Sequence, residues 1–249
     1  MALPKFTIKD LMEAGVHFGH TKRRWNPAMK NFIYGTRDGV HIIDLQKTAP
    51  MLLKAMYLTK EIASKGGKVL FVGTKKQAQP IVQKYAELCG GHYVNHRWLG
   101  GMFTNWKTVS KSLNKLNKIE KDIANADKLG LTKKEVLMLE RQRVKLENVF
   151  CGIKEINGTP DLMIVIDTQK EQLAIDEARV LGVPVIGICD TNSQIDEIDF
   201  PVPGNDDAIR ALELYCSLLS KSALEGVKEQ VKASGKDLGA EEAPKTEAK

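Results

Sequence analysis

Three short runs of apolar residues, unbroken by polar ones, most constrain how this chain can fold. They lie within residues 68–73, 162–167 and 185–190, and a segment with helical features follows the first two runs directly. A strand that is apolar on both faces is typical of a parallel sheet covered by helices on both sides. The alternation of such strands with helices predicts an α/β fold with a doubly wound, mostly parallel sheet.

The sequence periodicity changes between the first and second of these strands. From residue 104 to about residue 150, apolar residues recur every three or four positions in two segments, separated by a polar break that contains Gly130. Thr132 and Glu135 have the spacing of a capping box at the start of the second segment. Two helices of this length around a short loop predict an antiparallel hairpin with a coiled-coil-like apolar seam.

These patterns divide the chain into three parts. We predict a discontinuous α/β domain at residues 1–103 and 151–226, an inserted helical hairpin at 104–150, and a tail at 227–249. The tail contains only three large aliphatic residues, so it is expected to be frayed or disordered. Within the domain, residues 15–27 predict a basic irregular loop, and further helices are expected from Thr48 to Gly66, at 75–89, at 169–181 after a cap at Thr168, and at 208–223.

The charge of the chain is concentrated in the hairpin. The 249 residues include 37 Lys and Arg against 31 Asp and Glu, a net charge of +6. Residues 105–150 contain 11 basic and 6 acidic residues and so hold most of that excess. The chain shows no run of membrane-spanning length, and its cysteines are scattered without a CxxC pair, so we expect a cytoplasmic protein without membrane contact.

The basic residues form the candidate RNA-binding set. A positive stripe along one helix suits a phosphate backbone, and basic residues beside aromatic ones suit unstacked bases, although solvated charge is the ordinary alternative. The candidates are Lys22, Arg23, Arg24, Trp25, Lys75, Lys76, His96, Arg97, Lys107, Lys111, Lys115 and Lys118.

Residues 95–106 join the α/β pattern to the hairpin and combine His96, Arg97, two tryptophans and a Gly-Gly pair. Because glycine has no Cβ, this pair permits a sharp turn or a close approach. Trp98, Gly100, Gly101 and Trp106 are therefore predicted to form a structural hinge, while a contact with RNA is the alternative.

An enzymatic function is the main alternative reading. Catalytic groups in such sheets follow the carboxyl ends of strands, where this chain has Lys75, Asp167 and Asp190. The chain lacks the phosphate-binding motifs GxxxxGK[ST] and GxGxxG and a nucleophile elbow. His17 and His20 could share a metal on a helix, but the neighbouring glycines oppose that helix. We predict no catalytic residue, metal or cofactor, and retain a nucleotide-binding α/β enzyme as the alternative.

Read together, several motifs resemble the bacterial small-subunit ribosomal protein S-two family. They occur in one order over roughly residues 6–222, which makes the match specific. The matching stretches are Gly15–His20, Trp25–Pro27, Val40–Leu45, Leu70–Lys75, Asn95–Gly101, Thr104–Trp106, Pro160–Asp161, Asp190–Asn192 and Pro203–Arg210.

The resemblance implies a flavodoxin-like domain with a protruding helical hairpin and no catalytic residues. Such proteins are structural constituents of the small ribosomal subunit that support translation. They lie between its head and body, where they contact ribosomal RNA and neighbouring ribosomal proteins, and they help to dock the large messenger-binding protein S-one. A protein–protein scaffold, with only incidental RNA contact, is a second reading of the same exposed hairpin.

Overall fold

The structure is a computed structural model that describes residues 3–126 and 128–233. Its strands are β1 (Phe18–Thr21), β2 (Ile33–Arg37), β3 (Val40–Ile43), β4 (Val69–Val72), β5 (His92–Val94), β6 (Leu162–Ile166), β7 (Val185–Cys189) and β8 (Phe200–Pro203). Its helices are α1 (Ile8–Glu13), α2 (Leu45–Ser64), α3 (Gln79–Leu88), α4 (Trp106–Ala124), α5 (Lys133–Phe150), α6 (Gln172–Leu181) and α7 (Ile209–Ala233).

The central sheet is parallel and has five strands in the order β5-β4-β6-β7-β8. Numbered from β4 along the chain, this order is 2-1-3-4-5, which is the flavodoxin-like arrangement. The three apolar runs form β4, β6 and β7 at the centre, and every residue of these strands is buried. The predicted α/β fold with a doubly wound parallel sheet is therefore confirmed.

Each face of the sheet is covered by its own hydrophobic core. Because successive strand residues point to opposite faces, Phe71 packs into one core and Leu70 into the other. The first core includes residues of α2, α3 and α7, with Leu52 and Tyr215 fully buried. The second includes residues of α6 and the base of the α4–α5 pair, such as Phe150. Among the residues described, no helix has the length and apolar character needed to cross a membrane.

A second, antiparallel sheet has the order β1-β3-β2. Its β2–β3 turn contains an Asp-Gly pair, which is typical of a tight hairpin turn, and Asp38 and Gly39 both adopt a positive φ, of 50° and 80°. The prediction that residues 15–27 are wholly irregular was wrong for β1. Phe18 pairs with Ile42 of β3 despite the flanking glycines, and local sequence does not reveal such a distant pairing.

Three helices begin three or four residues away from their predicted starts. Helix α2 begins at Leu45 because the Asp44 carboxylate accepts from the Gln46 amide at 3.0 Å. The Thr48 hydroxyl instead donates to the carbonyl of Pro203, so it joins α2 to β8. Helices α3 and α6 begin at residues 79 and 172, after turns that follow their strands, and Thr168 caps neither of them.

The predicted helical hairpin corresponds to α4 and α5, which pack against each other. At the start of α5, the Thr132 amide donates to the Glu135 carboxylate at 2.9 Å, and the Glu135 amide donates back to the Thr132 hydroxyl, so the capping box is confirmed. The apolar seam of α4 is buried at Val109, Leu113, Leu116 and Ile119.

Helix α7 continues through Ala233, so the predicted frayed tail was wrong for residues 227–233. Gly226 does not end the helix because it lies against α2, where a Cβ would come within 2.3 Å of the Lys60 carbonyl oxygen. An ion pair of 2.7 Å between Lys60 and Glu229 joins the same two helices beyond that point. The remainder of the predicted tail, residues 234–249, lies outside the described residues.

The close approach of α7 to α2 at Gly226 gives a first prediction. Gly226→Ala should lower the free energy of unfolding by about 1–3 kcal/mol, because backbone and the Ala63 side chain leave no room for the added methyl group. At an exposed helical position the same change would stabilise the helix. Urea denaturation measures the effect, with the exposed Lys221→Ala on α7 as the control; a more stable Gly226→Ala protein would contradict the described packing.

Candidate nucleic-acid interface

The α4 lysines form an exposed basic face. Lys107, Lys111, Lys115 and Lys118 are all exposed, whereas the apolar seam on the other side of the helix is buried. Within the described part of the chain, none of the four lies within ion-pair distance of a carboxylate. Their charges are therefore available to an external polyanion.

Three glutamates of the hairpin form ion pairs with basic residues nearby. Arg143 forms ion pairs with Glu140 and Glu147, and Lys154, just after α5, pairs with Glu120 at 2.7 Å. These contacts neutralise acidic groups on the flanks of the hairpin without involving the α4 lysines. Within the described residues, these carboxylates therefore form no ion pair with the α4 lysines.

A single buried carboxylate fixes the base of the hairpin. Glu177, on the buried side of α6, accepts six hydrogen bonds from the segment that precedes α4. Its donors are the Trp98 indole nitrogen (2.9 Å), the amides of Gly101 (2.8 Å), Met102 (3.3 Å), Phe103 (3.1 Å) and Thr104 (3.1 Å), and the Thr104 hydroxyl (3.0 Å). Burial raises the pKa of Glu177, but these donors outweigh it and hold the pKa below its usual value.

Two of the predicted hinge residues, Trp98 and Gly101, donate hydrogen bonds to this carboxylate. Trp98 is buried, Gly101 has a φ of 81°, and the half-buried Trp106 stacks on Phe103 with ring centroids 5.7 Å apart. Position 100 does not require glycine, since a Cβ there would make only ordinary van der Waals contact. These contacts suit a fixed connection between hairpin and sheet domain better than a freely moving one.

Sequence reasoning missed Glu177, although a signal was present. It lies between Ile175 and Ala178 in the buried stripe of α6, where an acidic residue is unusual without partners. The donors lie more than 70 residues earlier in the chain, so the sequence did not reveal what Glu177 binds. His96 and Arg97, which directly precede the donor residues 98–104, are exposed.

The basic loop lies at the carboxyl edge of the parallel sheet. Lys22, Arg23 and Arg24 form one exposed 3-10 turn after β1. A hydrogen bond joins this segment to the loop after β7, because the backbone amide of Asn26 donates to the backbone carbonyl of Thr191 at 2.7 Å. Trp25 is 37% exposed and lies beside the buried ring of His41.

The structure separates Lys75 from the other candidates. Its ammonium group lies 2.9 Å from Asp206, 2.5 Å from Asp207 and 3.6 Å from Asp167, so carboxylates surround it. Burial lowers the pKa of Lys75, but these carboxylates outweigh burial and raise it. Lys75 is therefore occupied by internal ion pairs, whereas Lys76 is exposed and remains a candidate.

The strand ends that the enzyme alternative invoked are strongly acidic. Asp167, Asp190 and Asp206 follow three neighbouring strands, and the Lys75 ammonium group lies near the first and third of them. Such an arrangement repels the phosphates of a nucleotide, and this counts against a nucleotide-binding enzyme. Within the described residues, His20, Asp190 and Asp207 have ligand atoms within 4.8 Å of one another, the composition of a possible metal site. His17, which could have shared a metal with His20 only if the segment were helical, instead lies against Phe18.

The acidic strand ends give a pH-dependent prediction. Burial raises the pKa of Asp206 to about 7; the charges of Asp167 and Asp190 add to this effect, and the Lys75 ammonium group opposes it without cancelling it. In the unfolded chain the pKa is near the ordinary ~3.9. The folded protein binds this proton more tightly, so the stabilisation is complete below about pH 4 and is lost as pH rises to about 7.

The Asp206→Asn variant should lack this component. We expect the stability of the wild type relative to the variant to fall by roughly 2–4 kcal/mol between pH 4 and pH 8, from about 1.4 kcal/mol per pKa unit. Denaturant titrations at half-unit pH intervals measure it, with the exposed Asp196→Asn as the control. Parallel curves for wild type and Asp206→Asn would show that Asp206 titrates normally.

Comparison with known proteins identifies the family of this chain. The family model described as "Ribosomal protein S2" matches residues 11–226. The chain is 54% identical to the small ribosomal subunit protein uS2 of Rhodospirillum rubrum over 97% of its own length and 92% of that protein. It is 55% identical to the protein of the same name from Gluconobacter oxydans, over 97% and 91% of the two chains. Because the family match and these identities extend over almost the whole chain, this protein belongs to the ribosomal protein S2 family.

Proposed function

We propose that this chain is a structural component of the small ribosomal subunit, where it binds ribosomal RNA and neighbouring ribosomal proteins and supports translation. The observation that carries the proposal is the unpaired lysine face of α4 on a hairpin whose base is held by Glu177. Family membership supports it, because the relatives bear the name of small-subunit proteins. The protein acts by binding rather than by catalysis.

The binding mechanism is electrostatic and depends on shape. Lysine and arginine side chains neutralise phosphates and release counterions, while the rigid sheet domain fixes their relative positions. The proposed contacts are Lys22, Arg23, Arg24, Trp25, Lys76, His96, Arg97, Lys107, Lys111, Lys115 and Lys118. Lys75 is left out of the interface because three aspartates already neutralise it.

Protein partners occupy other surfaces in this proposal. Leu137, Met138 and Val144 of α5 are exposed large apolar residues, which suit contact with neighbouring ribosomal proteins. The location between head and body, the docking of the messenger-binding protein S-one and the cytoplasmic site of action are further parts of the same proposal. They follow from the family resemblance.

Binding of the purified protein to small-subunit ribosomal RNA across a salt series tests the proposal. We expect tight binding with a steep salt dependence, without measurable affinity for ATP or GTP on the same preparation. Weak, salt-insensitive RNA binding together with micromolar nucleotide affinity would contradict it and return attention to the strand ends. If unrelated polyanions do not displace the bound RNA, a specific site is favoured over a purely electrostatic one.

A further inference from the structure

A polar cleft of about 620 Å³ opens between the basic loop and the carboxyl edge of the parallel sheet. One wall is formed by Arg24, Trp25 and Pro27, and the other by Gln169 and Asn192, which follow β6 and β7. Its volume lies within the range of small-molecule sites, and the carboxyl edge is where open α/β sheets bind ligands. The α4 lysine face has no part in this cleft.

The two walls are held together by contacts between segments about 170 residues apart. The His20 amide donates to the Thr191 hydroxyl at 2.9 Å, and the His20 imidazole lies 2.8 Å from the Asp190 carboxylate. Gly19 packs so closely on Thr191 that a Cβ would come within 2.6 Å of the threonine methyl group. The cleft is therefore built by tertiary structure and is present before any ligand binds.

The side chains of the cleft have complementary chemistry. Trp25 offers a partly exposed indole, supported by the His41 ring at a centroid distance of 5.5 Å. The side-chain amide of Asn192 donates to the side-chain oxygen of Gln169 at 2.7 Å. This hydrogen bond orients the exposed side-chain amide of Gln169. Arg24 supplies an exposed guanidinium group at the rim. An aromatic face, an amide edge and one cation are the groups that recognise a base and its phosphate.

We propose that this cleft binds a single unstacked nucleotide of ribosomal RNA. The base stacks on the Trp25 indole, its hydrogen-bonding edge faces the Gln169 amide, and its phosphodiester contacts Arg24. This inference rests on the proposed function and adds a specific subsite to it. The exposed Lys22 and Arg23 lie next in the chain, where flanking phosphates of the same strand would pass.

The charge around the cleft favours a nucleotide within a chain over a free one. A phosphodiester has a single negative charge, which one arginine balances. A free nucleoside di- or triphosphate would bring several charges close to Asp190 and Asp207, both of which approach His20, a lining residue of the cleft. Like charges at short range disfavour that ligand.

Affinity for small-subunit ribosomal RNA, measured with Trp25→Ala, Trp25→Phe and Tyr34→Ala in the full chain, tests the inference. Tyr34 is an exposed aromatic residue on β2 that does not line the cleft. We expect Trp25→Ala to lose about 10- to 100-fold in affinity with an unchanged salt slope, since stacking is not ionic. Trp25→Phe should remain within about threefold of wild type, and Tyr34→Ala should bind as wild type.

Other outcomes overturn the inference. Trp25→Ala binding within twofold of wild type, or an equal loss in Tyr34→Ala, would show that the cleft holds no base, while the proposed function would stand. Micromolar binding of adenosine or uridine monophosphate alone, followed by tryptophan fluorescence, would assign the cleft to a free nucleotide. If the wild type fails to bind the RNA, the proposed function itself fails. Should Trp25→Ala not fold, Gln169→Ala takes its place, with an expected loss of about three- to tenfold.

Discussion

Glu177→Gln is expected to lower the free energy of unfolding by roughly 3–5 kcal/mol, the cost of two or more buried donors left without an acceptor, although it changes only one side-chain oxygen to an amide group. Each carboxylate oxygen of Glu177 accepts three hydrogen bonds from residues 98–104. A glutamine amide has a single acceptor oxygen, and its NH₂ group would face donors that then lack a partner. Leaving buried donors unsatisfied costs more than losing the bonds themselves.

Guanidinium denaturation measures the loss of stability. Tryptophan fluorescence reports it locally, since Trp98 is one of the donor residues 98–104 and Trp106 lies just after them. Asp176→Asn, an exposed change one residue earlier on α6, is the matched control and should stay within about 0.5 kcal/mol of wild type. The rates of amide hydrogen exchange at residues 98–104 should also be higher in Glu177→Gln than in wild type. Wild-type stability in this variant would mean that Glu177 does not hold the base of the hairpin.

Reversing two charges on the α4 face is expected to weaken RNA binding strongly. The double variant Lys111→Glu/Lys115→Glu should lose roughly 10²-fold in affinity for small-subunit ribosomal RNA at moderate salt, because two phosphate contacts become repulsive. Stability should change little, since both side chains are exposed and make no ion pair within the described residues. Filter binding or fluorescence anisotropy at fixed salt gives the affinity ratio.

The control for this variant keeps the same change in net charge. Lys54→Glu/Lys221→Glu alters exposed lysines of α2 and α7, on the opposite face of the sheet from α6 and the base of the hairpin. We expect it to bind within about threefold of wild type, a loss due only to net charge. Equal losses in both double variants would mean that binding depends on total charge and not on the α4 face.

Local patterns in the sequence predicted much of this fold. The apolar runs at β4, β6 and β7 indicate buried parallel strands, because they are short and helical segments lie between them. The Thr132–Glu135 capping box and the seam from Val109 to Ile119 likewise depend on residues close in sequence. Spacing along one helix was enough to place the four lysines of α4 on one exposed side.

Contacts between distant residues account for what the sequence did not reveal. β1 forms only by pairing with β3, and Gly226 remains helical only because α2 lies against it. Lys75 resembled a phosphate ligand until Asp206 and Asp207, about 130 residues away, were found beside it. The Glu177 carboxylate was missed for the same reason, since its partners are known only once the sheet has brought α6 to the base of the hairpin.

The most direct test of the account is the slope of log affinity against log salt for ribosomal RNA binding, compared between wild type and Lys111→Glu/Lys115→Glu. If the α4 face contacts phosphates, the slope of the variant should be shallower by about 2, one for each lost contact. The Lys54→Glu/Lys221→Glu control should keep the wild-type slope. A slope in Lys111→Glu/Lys115→Glu equal to that of wild type would contradict the claim that the hairpin binds the RNA backbone.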